Sequence, residues 1–151
     1  TVGMMNPHHP LINCMDEADL FNPKITIKEF TERVANLPLI FHPGERWHYS
    51  VATDIVGYLV EMLSDQPLGE FMQEKIFRPL GMDDTAFEIA PSKLDRLCTL
   101  YGKTKDSNLG VLDLPESSEY LPPVTLQSGG SGLVSTTSDY RQFAQFILNK
   151  G

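Results

Sequence analysis

Apolar residues return every three or four positions after residue 26, a period that predicts an amphipathic helix. The repeat consists of Ile27, Phe30, Val34 and Leu37. Thr26 precedes this repeat and Glu29 lies three residues later, which is the spacing of a capping box. In a capping box each side chain accepts a hydrogen bond from the backbone N–H of the other residue. Pro38 cannot continue a helix, so we expect the element to end at Leu37.

The next helical pattern differs because its apolar residues cover nearly the whole circumference. They are Val51, Ile55, Val56, Tyr58, Leu59, Val60, Met62 and Leu63. A helix that is apolar on nearly every side is normally buried, so we predict a buried helix from Ser50, its expected cap, to about Ser64. A third helix is expected to start near Pro67 and to reach about Phe77.

The remaining chain predicts short elements between loops. Residues 1–25 read as loop with a helical turn at 15–21, residues 85–89 as a short strand, and residues 92–97 as a helical turn. Residues 102–127 read as mostly loop, or as loop with short strands that the pattern does not resolve. A tight glycine turn at 128–132 precedes a last helix, capped at Thr137 or Ser138.

The apolar face of that last helix consists of Tyr140, Phe143, Ala144, Ile147 and Leu148. Together these elements predict an α+β fold that is mostly helical, with short strands and long loops. No linker or repeat divides the chain, so we expect residues 1–151 to be a single partial domain. The first residue is Thr1 and the opening segment resembles an internal loop, so we interpret the chain as an excised internal segment, with no indication of its compartment.

Composition narrows the possible partners. The 151 residues carry a net charge of −8, which argues against nucleic acid and anionic membranes as partners, because both require a basic surface. No apolar run approaches the ~18–20 residues that a membrane span requires. The four histidines have no zinc-ligand spacing, so no metal site is expected. No organic cofactor is expected either.

Tyr49 is the strongest candidate for chemistry in this sequence. It stands at the start of the apolar helix, and the positive end of a helix favours a phenolate, the form of tyrosine that can accept a proton. No serine in the chain has a lysine three residues later, and Gly129-Gly-Ser-Gly-Leu133 lacks the last glycine of the G-x-S-x-G pattern. The sequence therefore offers a base without an activated nucleophile.

Three separated segments resemble the serine β-lactamase and penicillin-binding-protein superfamily, in its class C-related branch of family VIII carboxylesterases and D-aminopeptidases. The segments are Phe41-His-Pro-Gly-Glu-Arg-Trp-His-Tyr-Ser50, Ile76-Phe-Arg-Pro-Leu-Gly-Met82, and Gly129-Gly-Ser-Gly-Leu-Val-Ser-Thr-Thr-Ser-Asp-Tyr-Arg141. The resemblance extends over residues ~25–151 in collinear order and implies a β-lactamase/transpeptidase-like fold.

The resemblance implies a serine hydrolase that forms an acyl-enzyme. The family's nucleophile and proton acceptor stand in an S-x-x-K box, and its tyrosine motif matches Tyr49-Ser50-Val51. The S-x-x-K and K-T-G boxes are absent here, so the rest of the parent chain is needed to complete the site. We therefore expect the isolated segment to be inactive.

The third motif position indicates the substrate class. Lactamases of this branch usually carry Asn there, whereas Val51 can donate no hydrogen bond, which favours carboxylic esters over β-lactams. Trp47 and His48 are candidate substrate-binding residues together with Val51. The alternatives are a β-lactamase, a D-alanyl carboxypeptidase or D-aminopeptidase, and a non-catalytic binding homologue. For the enzymes the expected partner is a small-molecule ester or amide.

Overall fold

A computed structural model describes residues 12–20, 22–104 and 108–151. The chain forms two compact units. The first runs to Ile76 and also takes in Thr125–Gly132, and the second comprises Phe77–Val124 and Leu133–Gly151. The single partial domain stays a prediction. Among the described residues no helix has both the length and the apolar character to span a membrane.

The described elements of the first unit are all helical. They are α1 (Ile12–Glu17), α2 (Ile27–Ala35), α3 (Ala52–Ser64) and α4 (Leu68–Met72), the last continued by a π-helical stretch at Gln73–Phe77. Helix α1 begins earlier than the turn expected at 15–21, while residues 1–11 lie outside the described residues. The core of the first unit is the buried cluster Met15, Leu20, Ile25 and Phe30.

The predicted capping box of α2 is confirmed. The Thr26 hydroxyl accepts a hydrogen bond from the Glu29 backbone N–H at 3.1 Å, and the Glu29 carboxylate accepts one from the Thr26 N–H at 2.7 Å. Ile27 and Phe30, which open the apolar repeat, are buried. Local hydrogen bonding and core burial therefore agree on where this helix begins.

Helix α3 begins one residue later than expected. Its N-cap is Val51, because the Val51 carbonyl accepts from the N–H groups of Asp54 and Ile55. The prediction that Ser50 is the cap is wrong, although the Ser50 hydroxyl accepts a hydrogen bond from the Ala52 N–H at 3.2 Å. The predicted end at Ser64 is confirmed.

The prediction that α3 is buried on nearly every side is also wrong. Only Gly57 of this helix is buried, and Met62 and Leu63 expose 62% and 88% of their surface. An all-apolar pattern reports side-chain chemistry, and it does not report whether the described residues cover the helix. Helix α3 thus carries an exposed apolar face.

The second unit contains the strands. Its elements are a 3₁₀-helix at Pro91–Arg96, β1 (Leu100–Lys103), β2 (Leu109–Asp113), a 3₁₀-helix at Pro115–Ser117 and α5 (Thr137–Leu148). Strands β1 and β2 pair antiparallel. Helices with a small sheet confirm the α+β class.

One strand prediction is borne out and one needs correction. The β1–β2 pair agrees with the alternative that the region expected as mostly loop contains short strands. The pattern did not resolve them because Gly102 faces Gly110 across the ladder and glycine weakens the strand signal. The strand expected at 85–89 is reduced to one isolated bridge between Ala86 and Val134.

Helix α5 is capped by Thr136, one residue before the predicted caps, and the Thr136 hydroxyl accepts from the Asp139 N–H at 3.2 Å. The buried Asp139 carboxylate accepts from the Asp84 N–H and the Thr85 hydroxyl, both at 2.8 Å. The predicted apolar face is largely exposed, with 76% of Leu148 accessible. The polar Asp139 therefore anchors this helix where an apolar stripe was expected.

Asp84 lies at the centre of an ion-pair cluster in the second unit. Arg96 binds its carboxylate with two nitrogens, at 3.0 and 2.7 Å, and the Lys93 ammonium lies 2.7 Å away. These hydrogen bonds, first from Arg96 and then from Lys93, hold the pKa of Asp84 well below its usual range. Because this pKa is lowered, the ion pairs of Asp84 persist to a lower pH than an ordinary aspartate would allow.

We expect Asp84→Asn to lower the melting temperature of the full-length protein at neutral pH, with a smaller effect in acid. A depressed folded-state pKa stabilises the fold fully above the unfolded value of about 3.9. This contribution begins to decline as the pH falls below that value and disappears below the folded pKa. Melting curves from about pH 7 to about pH 3 measure the difference. Asp95→Asn, an exposed carboxylate in the same 3₁₀-helix, is the control. A gap between wild type and Asp84→Asn that is constant with pH would contradict the expectation.

Candidate active site

The candidate site forms in the connection between α2 and α3. Residues 36–51 contain no helix or strand, and two prolines, Pro38 and Pro43, prevent regular hydrogen bonding there. The connection turns at residues 42–45, where the Glu45 N–H donates to the His42 carbonyl at 3.1 Å. Gly44 adopts φ +86° in this turn, a conformation that favours glycine.

An aromatic cluster orders the loop around Phe41. The His48 ring meets the Phe41 ring edge-on, with centroids 5.8 Å apart. The Arg46 guanidinium carbon lies 4.5 Å from the centroid of the same ring, within cation–π distance. Both contacts bring the two ends of the turn together, and neither residue pair has a spacing that the sequence pattern would reveal.

A cavity of about 520 Å³ opens between the end of α2, this loop and the start of α3. We call it the loop cavity. Its apolar wall includes Val34 and Leu37 of the α2 end, and its polar groups include Arg46 and Tyr49. A mostly apolar wall with a few polar groups is typical of small-molecule sites of this size.

The structure brings three of the four predicted site residues to the loop cavity. His48, Tyr49 and Val51 line it, whereas Trp47 lies outside the lining and exposes 83% of its surface. The Trp47 ring contacts the Tyr49 ring at a centroid distance of 6.4 Å. The assignment of Trp47 to substrate binding stays a prediction.

Tyr49 and Val51 occupy different environments within the motif. Tyr49 lies three residues before α3 and exposes 53% of its surface. Val51 packs against the buried cluster of the first unit while also lining the loop cavity. Its apolar character therefore contributes to packing as well as to the cavity wall.

In the glycine turn at 128–132, Ser131 contacts another hydroxyl group. Ser131 is exposed, and its hydroxyl lies 3.3 Å from the Ser128 hydroxyl. Within residues 12–20, 22–104 and 108–151, no three His, Cys, Asp or Glu side chains are grouped to hold a metal. Sequence reasoning missed the Phe41–Arg46–His48 cluster, whose only signal was the density of aromatic residues before α3.

Comparison with known proteins identifies related sequences. The family model Beta-lactamase matches residues 4–151. Protein Rv1367c of Mycobacterium tuberculosis is 35% identical over 118 residues, 78% of this chain and 29% of the relative. Esterase EstB of Burkholderia gladioli is 31% identical over 127 residues, 75% and 32% of the two chains. A putative D-alanyl-D-alanine carboxypeptidase of Escherichia coli O157:H7 is 31% identical over 137 residues, which are 80% of this chain and 31% of the relative.

A solved structure of EstCE1, a hydrolase with promiscuous acyltransferase activity, shares the fold. Its TM-score is 0.73 at 23% identity, over 88% of this chain and 39% of that one. The chain spans about 30% of the length of the curated relatives that it matches.

We expect Phe41→Leu to loosen the loop, because leucine keeps apolar volume and removes both ring contacts. An aromatic pair contributes about 0.5–1.5 kcal/mol and an exposed cation–π contact about 0.5–1 kcal/mol. Amide hydrogen exchange of residues 42–48 in the full-length protein should rise, while Phe146→Leu, which changes an exposed ring of α5, leaves it unchanged. Equal exchange in the two variants would show that Phe41 does not order the loop.

Proposed function

Because the chain belongs to the beta-lactamase family, we propose that it is part of a serine hydrolase that cleaves carboxylic esters through an acyl-enzyme. The observation that carries the proposal is the placement of Tyr49 and Val51 on one largely apolar cavity. The nucleophilic serine and its lysine belong to an S-x-x-K box that this sequence does not contain. The whole protein would supply that box.

Tyr49 acts in this proposal as the base and then the acid. Its phenolate takes the proton of the serine hydroxyl as the serine oxygen attacks the ester carbonyl. The C–O bond to the alcohol breaks, and Tyr49 returns the proton to the leaving alkoxide. A water molecule then attacks the acyl-enzyme, Tyr49 accepts its proton, and the carboxylic acid leaves as the serine regains a proton.

The wall of the cavity supports an ester as the substrate. Val51 offers no amide to a β-lactam side chain, and Val34 and Leu37 present apolar surface to an acyl or alkyl group. The similarity to Esterase EstB points in the same direction. His48 and Trp47 are proposed to contact the bound ester from the loop, and the reaction needs no cofactor.

A second candidate is hydrolysis of a D-alanyl peptide, and Arg46 is the observation that favours it. Arg46 lines the loop cavity, and in this candidate its guanidinium binds the terminal carboxylate of a peptide. The relative named a putative D-alanyl-D-alanine carboxypeptidase supports this candidate. Arg46→Gln separates the two, since it would impair cleavage of a D-Ala-D-Ala peptide and spare a neutral ester.

We expect Tyr49→Phe in the full-length protein to lower kcat/KM for p-nitrophenyl butyrate by about 10²–10⁴, the range that general acid–base catalysis contributes. Tyr101→Phe, which removes the hydroxyl of an exposed tyrosine in β1, is the matched control and should leave the rate unchanged. Ester turnover that survives Tyr49→Phe would remove Tyr49 from the proton path. The isolated 151-residue segment should be silent.

We expect Val51→Asn to shift selectivity from esters toward a chromogenic cephalosporin. One added hydrogen bond contributes about 0.5–1.5 kcal/mol, equivalent to roughly a 2–10-fold change in the ratio of the two kcat/KM values. Val51→Leu keeps the apolar contact and is the control. The same ratio in both variants would mean that position 51 does not select between the substrates.

A further inference from the structure

The loop that carries Tyr49 is bounded by two ordered parts of the first unit, the cluster of Phe41 with Arg46 and His48 on one side and α3 on the other. Residues 42–50 are all exposed, and the next ordered element is the first turn of α3. Tyr49 precedes that turn by three residues, so its position depends on whatever fixes the start of α3. The contacts of the first turn therefore bear on the proposed base.

Asp54 occupies the third helical position of α3, where an acidic side chain often bonds back to the cap. Glu29 does this at the equivalent position of α2, through its hydrogen bond from the Thr26 N–H. Helix α3 has no side-chain hydrogen bond at its cap, and the Asp54 carboxylate is directed to the glycine turn instead. Asp54 thus makes tertiary contacts in a position usually used for capping.

The contact joins Asp54 to Ser128, 74 residues away. The Ser128 hydroxyl donates to the Asp54 carboxylate, and the same carboxylate oxygen accepts from the Gly130 N–H at 3.3 Å. The Ser128 oxygen in turn accepts from the N–H groups of Gly130 and Ser131, both at 3.1 Å. One carboxylate and one hydroxyl therefore hold the turn together and attach it to α3.

Backbone packing reinforces this attachment. A Cβ added to Gly129 would lie 2.2 Å from the Thr53 carbonyl oxygen, so the turn touches the first turn of α3 without an intervening side chain. On the other side of the turn, the Gln127 side-chain carbonyl accepts from the Gly69 N–H of α4 at 2.6 Å. Leu126 packs against the same buried cluster as Val51.

We propose that Asp54 is a positioning residue for Tyr49. Through Ser128 and the glycine turn it fixes the first turn of α3, and that turn fixes the tyrosine that precedes it. The inference rests on the proposed function for its kinetic effect, whereas the attachment itself can be measured without catalysis. It assigns to Asp54 no contact with substrate.

The test compares Asp54→Ala in two backgrounds of the full-length protein, with p-nitrophenyl butyrate as substrate. We expect kcat to fall about tenfold in the native background and less than about twofold in the Tyr49→Phe background, because a misplaced base matters only where the base is present. Asp54→Asn keeps an accepting oxygen and should retain more activity than Asp54→Ala. Equal losses in both backgrounds, or no loss in either, would overturn the proposal.

Glu61→Ala is the control for stability. It removes a hydrogen bond at the other end of α3, where the Glu61 carboxylate accepts from the Leu68 N–H at 2.8 Å, and it leaves the glycine turn untouched. We expect Glu61→Ala to preserve kcat. A tenfold loss in Glu61→Ala as well would show that kcat follows the stability of α3 and not the position of Tyr49.

Amide hydrogen exchange separates this inference from the proposed function. Asp54→Ala and Ser128→Ala should each raise exchange at residues 54–55, whose N–H groups donate to Val51, and at residues 130–131. If Tyr49→Phe leaves ester turnover intact, the proposed function fails and raised exchange still supports the attachment. Unchanged exchange at both segments would overturn the attachment whatever the kinetics show.

Discussion

The close approach of two backbones organises the first unit. Gly57, the buried residue of α3, would place a Cβ 3.1 Å from the Cα of Gly129, and Gly129 itself has no room for one beside the Thr53 carbonyl. The absence of both side chains lets the glycine turn lie directly on the helix. The Asp54–Ser128 contact, the Gln127 hydrogen bond and the packing of Leu126 all depend on that approach.

Features that depend on neighbours in sequence were predictable. The capping box of α2 and the end of α3 at Ser64 follow from hydrogen bonds and propensities within a few residues. Burial was less predictable. The apolar patterns of α3 and α5 favour buried faces, but many of these side chains are exposed among the residues that the structure describes. The β1–β2 pair was hidden since its two facing glycines carry almost no strand propensity.

In the candidate site, too, local features were predictable and contacts between distant residues were not. Tyr49 and Val51 were identified from a contiguous motif, and they do share a cavity with His48. Trp47 belongs to the same motif but exposes most of its surface, because adjacent residues in an extended segment point in different directions. Asp54 gave no signal, since its partners are 74 and 76 residues away and no local pattern reports a contact over that distance.

The separation of Asp54 and Ser128 by 74 residues in sequence also determines the order in which the parts of the first unit are synthesised. A ribosome adds about 5–20 residues per second, so Ser128 is made roughly 4–15 s after Asp54. Throughout that interval the nascent α3 lacks the glycine turn that packs on Gly57 and Thr53. The first unit is therefore completed late, after most of the second unit has already been translated.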